Sequence, residues 1–488
     1  MRLKPITRDV LKRSSLIVFI FIFFSGCPKN PATGERQFNI VSTEQEIELG
    51  KESDQQISAS FGLYENDELS RYVNQIGQEL AAKSERPDLP WTFRVLDDPL
   101  VNAFALPGGF IYITRGILSH MGSEAELSGV IGHEIGHVTA KHSVNRISEA
   151  QLAQLGIGVA AILKPDLYQK YGQFANVGIQ LLFLKFGRDD EKEADLLGVR
   201  YMLRENYNPE YLKNVMATLE RVTAESGAGG MPEWLSTHPS PGNRIELLDE
   251  IIDTVKQDVS SMQVNSNEFF AKINQLTFGE DPREGYFQGN TFYHPELRFQ
   301  YNFPAGWKTI NQKEAVIGVS PNQDAAIQIT LSGQKNLQNA ANEFFGQQGL
   351  KAGQLSSSSI NNLPVIFGEF AAATEQGNVQ GSSYFVQHGG NIYHILGYTA
   401  QQQWAQYRSP MVSSLSSFNQ LSDQKYLSVE PKKINIITLE QQMTLQQFYS
   451  KYPSTVPIET VAMINQADAG TQFQAGHKLK QVVGGKTP

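Results

Sequence analysis

Residues 129–142 read GVIGHEIGHVTAKH, and this stretch constrains the fold more than any other. Leu127, Val130, Ile131, Ile135 and Val138 recur at helical spacing and surround the two histidines. A helix this apolar is buried, and buried imidazoles without partners are costly. The chain must therefore close a core around His133 and His137 and still give their nitrogens something to bind. Ser123 and Glu126 predict a capping box at the start of this helix. Gly136 in its middle costs about 1 kcal/mol relative to alanine, which predicts a close backbone approach there.

His133 and His137 are four residues apart, so their rings share one helix face. Zinc accepts imidazole nitrogen at about 2.0–2.1 Å and favours four ligands, so the pair can hold one such ion. Glu134 flanks the pair. Its carboxylate can take a proton from a water that zinc acidifies to a pKa of about 7. His142 is rotated off the ligand face and reads as structural or surface-lying. His120, His294, His388, His394 and His477 lack partner spacing and read as structural.

A catalytic zinc site needs a third protein ligand and an open position. The segment GRDDEKEADLLGVRYM offers one. Asp189 and Asp190 suit a helix start. Glu191 and Asp195 share a face and Glu193 points away from it. One carboxylate can bind metal while the other orients a histidine, and spacing alone does not say which. Capping and dipole complementarity would also explain acids at a helix start.

At the N-terminus, Arg2, Lys4, Arg8, Lys12 and Arg13 precede the apolar run Leu16–Phe24, too short for a comfortable membrane span. The following FSGC resembles a bacterial lipobox. Cys27, the sole cysteine, would carry the lipid. Residues 1–26 thus read as a lipoprotein signal peptide and 27–42 as a tether. Pro28 after the cysteine favours the outer membrane, with the protein facing the periplasm. A net charge of −9 offers no basic stripe for nucleic acid.

From Thr43 the pattern is helical, with Thr43 and Glu46 as a capping signal, followed by a helix bearing Leu69, Val73, Ile76 and Leu80. WTFRVLDD and GGFIYITRGIL read as strands. The expected fold is α+β: a mainly helical metal-binding domain with a small sheet at 43–257, a sheet-rich α+β accessory domain at 285–420, and a small module at 431–484. The apolar stretch 151–186 fits a lid, a membrane-surface helix or core.

The segments NPATGERQFNIVSTEQEIELGK, NAFALPGGFIYITRGIL, HEIGH, GRDDEKEAD and STHPSPGNRI occur in the order of a known family. They resemble the zinc metalloendopeptidases of the CAAX prenyl protease type. The similarity is to their soluble bacterial lipoprotein and periplasmic branch, which includes the β-barrel assembly-enhancing proteases. The resemblance implies a gluzincin site with one zinc ion per chain. His133, His137 and Glu191 would be its ligands and Glu134 the catalytic acid/base, with Asp195 behind a ligand and His238 and Arg244 near the metal. The PGGFIYIT segment would be the strand to which an extended substrate adds. His238 would either fill the open metal position or donate to the oxyanion. Residues 431–484 look like a diverged LysM module, a resemblance that implies peptidoglycan as a partner, with Gln442-Met443 in place of its usual Gly-Asp. Misfolded or stalled envelope proteins would be the substrates. The alternative is a chaperone-like or cell-wall-binding envelope protein with a structural or idle metal site.

Overall fold

The computed structural model describes residues 29–148 except 38 and 40, then 185–226, 234, 238, 243–374 and 377–488. The expected signal peptide, Cys27 and all but the end of 151–186 lie outside the described residues.

Helix α1 (Thr43–Phe61) is capped by Ser42, not by Thr43. The Ser42 hydroxyl accepts from the Gln45 N–H, and the Gln45 side chain accepts from the Ser42 N–H. Glu46 is thereby released from capping. It is buried and takes both terminal nitrogens of Arg86 at 2.8 Å, with Lys141 at 3.1 Å. Arg86 also donates to the Val138 carbonyl, so this cluster ties α1 to the end of the HExxH helix. Burial alone would raise the Glu46 pKa, but the hydrogen bonds and charge of Arg86, with Lys141, outweigh it and hold it below the ordinary carboxylate range. Glu46→Gln is expected to cost about 3 kcal/mol at neutral pH, because Arg86 is left buried without its counter-charge. A lowered folded-state pKa means this stabilisation is present above the unfolded value of about 4.3 and is lost as pH falls through the folded one. The gap between wild type and variant in denaturant melts should therefore narrow below about pH 4. Equal stabilities at neutral pH would remove the role.

Helix α2 (Asp67–Ala82) buries Leu69, Val73, Ile76 and Leu80 as its spacing predicts. Beside it lies a three-stranded sheet of β1 (Thr92–Leu96), β2 (Ala103–Leu106) and β3 (Phe110–Thr114). The spatial order is β1–β3–β2, with β1 parallel and β2 antiparallel to β3. This corrects the expected substrate strand. PGGFIYIT supplies β3, whose two edges are both paired and whose residues are all buried. The outer edge of β1 is partly covered by the chain at Leu63 and Tyr64. The outer edge of β2 pairs with no strand among the described residues.

After the short α3 (Arg115–His120) comes the HExxH helix, α4 (Glu124–Thr139), buried along its whole length. Ser123 accepts from the Glu126 N–H as predicted. The Glu126 carboxylate does not return to Ser123; it accepts from the Gly122 N–H and from Gln466, both at 2.7 Å. Helix α5 (Arg188–Arg204) crosses α4 backbone to backbone. A Cβ on Gly136 would lie 3.1 Å from the Cα of Ala194, and one on Gly132 3.2 Å from the Gly198 carbonyl oxygen. The cost of Gly136 in mid-helix is the cost of that approach. Helices α6 (Glu210–Ser226), α7 (Arg244–Asp253) and α8 (Ser266–Ile273) complete the helical region.

The last sixty residues return to this core. Strand Glu430–Thr438 pairs with Thr277–Phe278 on one side and Lys478–Lys486 on the other. Ile434, Phe448, Val461, Ile464 and Leu479 join one apolar cluster with Leu127 and Ile131 of α4. Buried Lys480 donates to the carbonyls of Ser119, Met121 and Ile464. Between these returns, residues 286–420 build cores of their own around an eight-stranded antiparallel sheet. Helices Leu337–Phe345 and Trp404–Leu415 pack on it. The fold is thus α+β, a helical region followed by a sheet-rich one. Among the described residues no helix is long and apolar enough to cross a membrane.

Candidate metal centre

Helices α4 and α5 and the residue His238 bring four side chains together: His133, His137, Glu191 and His238. All are buried, and one potential ligand atom from each lies within 4.8 Å of all the others. The Nε2 atoms of His133 and His137 face each other at 3.1 Å. The Nδ1 of His133 lies 3.0 Å from Asp195 Oδ1, so that nitrogen carries the proton and its Nε2 presents a lone pair. Two ligand nitrogens on a tetrahedral zinc stand about 3.3 Å apart, close to what is found here. Glu191 Oε1 meets His238 Nδ1 at 2.9 Å. Glu191 Oε2 is buried without a hydrogen bond among the described residues, 3.6 Å from His133 Nε2 and 3.2 Å from Arg244 Nη1. Opposed lone pairs beside an underused carboxylate oxygen fit a divalent cation.

The remaining residues expected from the sequence cluster around these four. Asp195 accepts from His133 and from two nitrogens of Arg244, at 2.9 and 2.5 Å. Burial would raise the Asp195 pKa, but Arg244 and the His133 hydrogen bond overcome it and hold it at about 2. Arg244 opens α7, and its guanidinium lies 4.8 Å from the Trp234 ring centre, outside the ligand set. Burial pushes His137 well below the usual imidazole range, with the neighbouring His133, His238, His142 and Arg244 adding to the effect. His238 goes the other way. Burial would lower it, but the carboxylates of Glu191 and Glu134 outweigh that. Glu134 Oε1 accepts from Trp234 Nε1 at 3.3 Å, whereas its Oε2 is buried with no hydrogen-bond partner among the described residues.

The contacts of three residues at this site are not legible in the sequence. Trp234 holds Glu134 and stacks on His238 at 4.8 Å. Its signal was its place four residues before His238, whose N–H donates to the Trp234 carbonyl at 2.8 Å. Phe186, at the end of the apolar stretch 151–186, stacks on His137 at 4.0 Å. His142 lies off the ligand face as expected, yet its ring reaches back to His137.

Residues 67–252 match the profile of peptidase family M48. The mitochondrial metalloendopeptidase OMA1 of Schizosaccharomyces pombe is 30% identical over 232 residues, which are 47% of this chain and 67% of that protein. The chain belongs to peptidase family M48. Its His133, His137, Glu191 and His238 form the buried metal-binding cluster of an M48 metalloendopeptidase. The β-barrel assembly-enhancing protease of Yersinia pestis is 29% identical over 223 residues, covering 44% of this chain and 45% of that protein. Human OMA1 is 29% identical over 254 residues, 48% of each chain. This M48 chain therefore spans about half the length of these two relatives.

The unequal surroundings of the two carboxylates predict unequal variants. Asp195 has both oxygens hydrogen-bonded by Arg244 and His133, whereas Glu191 Oε2 has only its 3.2 Å ion pair to Arg244 and no hydrogen bond among the described residues. Asp195→Asn is expected to weaken metal binding by about 10–100-fold through loss of His133 orientation. Glu191→Gln should weaken it further, by removing a ligand. Metal titration of both purified variants decides; the reverse order would exchange the two roles.

Proposed function

We propose that this chain is a zinc-dependent endopeptidase that cleaves misfolded or stalled proteins of a bacterial cell envelope. The observation that carries the reading is the free, buried Oε2 of Glu134 beside the four-residue cluster. His133, His137 and Glu191 hold the ion, and Asp195 fixes His133. A zinc ion there supplies a Lewis acid that polarises a peptide carbonyl and acidifies water to a pKa of about 7. Glu134, steadied by Trp234, takes the proton of the attacking water at Oε2 and returns it to the leaving amine. An extended substrate adds to the edge of β2 that pairs with no strand among the described residues; β2 packs beside α4.

The envelope setting is supported by the N-terminal segment ending in FSGC and by the likeness to a β-barrel assembly-enhancing protease. Lipidation at Cys27 anchors the chain, and Cys27→Ser should release it from the membrane fraction. Unchanged membrane attachment would end that part of the proposal. A chaperone-like protein would have no use for the spare Glu134 oxygen. The deciding experiment is zinc analysis of purified protein together with cleavage of an unfolded protein. Cleavage should stop with chelator and return with zinc. Turnover that ignores chelation would overturn the reading.

A further inference from the structure

His137 Nδ1, the nitrogen that faces away from the ligand cluster, lies 2.8 Å from His142 Nδ1, with the two rings edge to face. His142 Nε2 lies 3.3 Å from Glu193 Oε2. Glu193 Oε1 accepts from the Asn30 side chain at 2.8 Å. His142 and Asn30 are both buried, and Asn30 belongs to the NPATG turn near the N-terminus. Asp190, the other acid near His142, brings its Oδ1 only to 3.9 Å from Nε2, beyond hydrogen-bond reach, while its Oδ2 accepts from Arg146 and the Gly187 N–H.

The hydrogens in this row can run in only one direction if His137 Nε2 is to offer a lone pair to a metal. His137 then carries its proton on Nδ1 and donates it to His142 Nδ1. His142, accepting there, carries its own proton on Nε2 and donates it to Glu193. Glu193 is acceptor-only and is held in place by Asn30. His133 gets the equivalent orientation in one step, from Asp195.

We infer that His142 is a positioning residue for the ligand His137. It fixes the ring's tautomer and tilt, and Glu193 and Asn30 fix His142 in turn. The middle acid of EKEAD and the NPATG turn thereby become parts of the metal centre. The inference rests on the metallopeptidase reading of the cluster.

The test uses the full chain, zinc competition against a chromogenic chelator, and the visible spectrum of the cobalt(II)-substituted protein. His142→Leu is expected to weaken zinc affinity by about 10–100-fold and to shift the cobalt bands. His142→Asn places an amide oxygen where Nδ1 stood and should restore most of the affinity. Glu193→Ala, at a partly exposed position that spares the fold, should weaken zinc several-fold. Wild-type zinc affinity in His142→Leu would overturn the inference, and so would wild-type affinity in Glu193→Ala if the leucine variant does not fold. Equal loss in the leucine and asparagine variants, with equally lowered melting in chelator, would reduce His142 to a packing residue. If the wild type binds neither ion, the metallopeptidase reading itself fails, a result distinct from all of these.

Discussion

Glu134→Gln is expected to keep its metal and lose turnover by about 10²–10⁴-fold, the contribution typical of a positioned acid/base. The reasons are geometric. Glu134 is not one of the four clustered residues, so the ion keeps its ligands. The amide oxygen can still accept from Trp234 Nε1 in place of Oε1. At the position of Oε2, however, an acceptor becomes an NH2 group. It can no longer take a proton from water, and it has none of suitable acidity to return to an amine. The measurement is paired: metal per chain, and rate on an unfolded protein. Full metal with an unchanged rate would remove Glu134 from the chemistry. Metal lost together with rate would make it structural. The same variant, expressed in cells, should retain uncleaved substrates for identification.

Local pattern carried some of this site well. The apolar flanks of α4 marked a buried helix, and burial made two bare imidazoles implausible without a cation. The one-turn repeat of Glu191 and Asp195 put both acids on the face that meets α4. Gly136 signals a close backbone approach, and α5 is the element that makes it. What escaped depended on distant partners. Glu46 has the right spacing for a cap after Thr43, but a buried Arg86 forty residues later is a stronger claim on a carboxylate, so Ser42 and Gln45 cap instead. Glu126 likewise answers to Gln466, more than three hundred residues away, and not to its own N-cap. PGGFIYIT has the composition of a strand, yet composition does not say whether a strand is central or at an edge. Pairing on both sides settles that for β3. The return of Ile434 to Val482 into the core of α4 is equally invisible to periodicity, because any amphipathic module has an apolar face to bury.

His238→Ala is the variant whose direction carries the most information. The imidazole is buried, stacked on Trp234, and wedged between two carboxylates: Nδ1 is 2.9 Å from Glu191 Oε1 and Nε2 is 3.7 Å from Glu134 Oε1. Its Nδ1 is also 3.4 Å from His133 Nε2, inside the ligand cluster and not beyond it. An oxyanion donor would have to stand clear of the ligands, about 2.7–3.1 Å from an oxygen that arrives with the substrate. A ring among the ligands would instead take the place of a fourth ligand and of the water that Glu134 is to deprotonate. We therefore expect His238→Ala to raise both cleavage of unfolded protein and self-cleavage. If the closed state is favoured by about 1.4 kcal/mol, roughly one chain in ten is open, and removing the plug releases close to tenfold in rate. Three ligands remain, so metal content should hold. An oxyanion role predicts the opposite sign, a loss of about 2.7–4 kcal/mol in transition-state stabilisation. Cleavage rate and metal content, measured together on the alanine variant, separate the two. If neither changes, His238 is a packing residue on Trp234 and the site must be restrained by some other group.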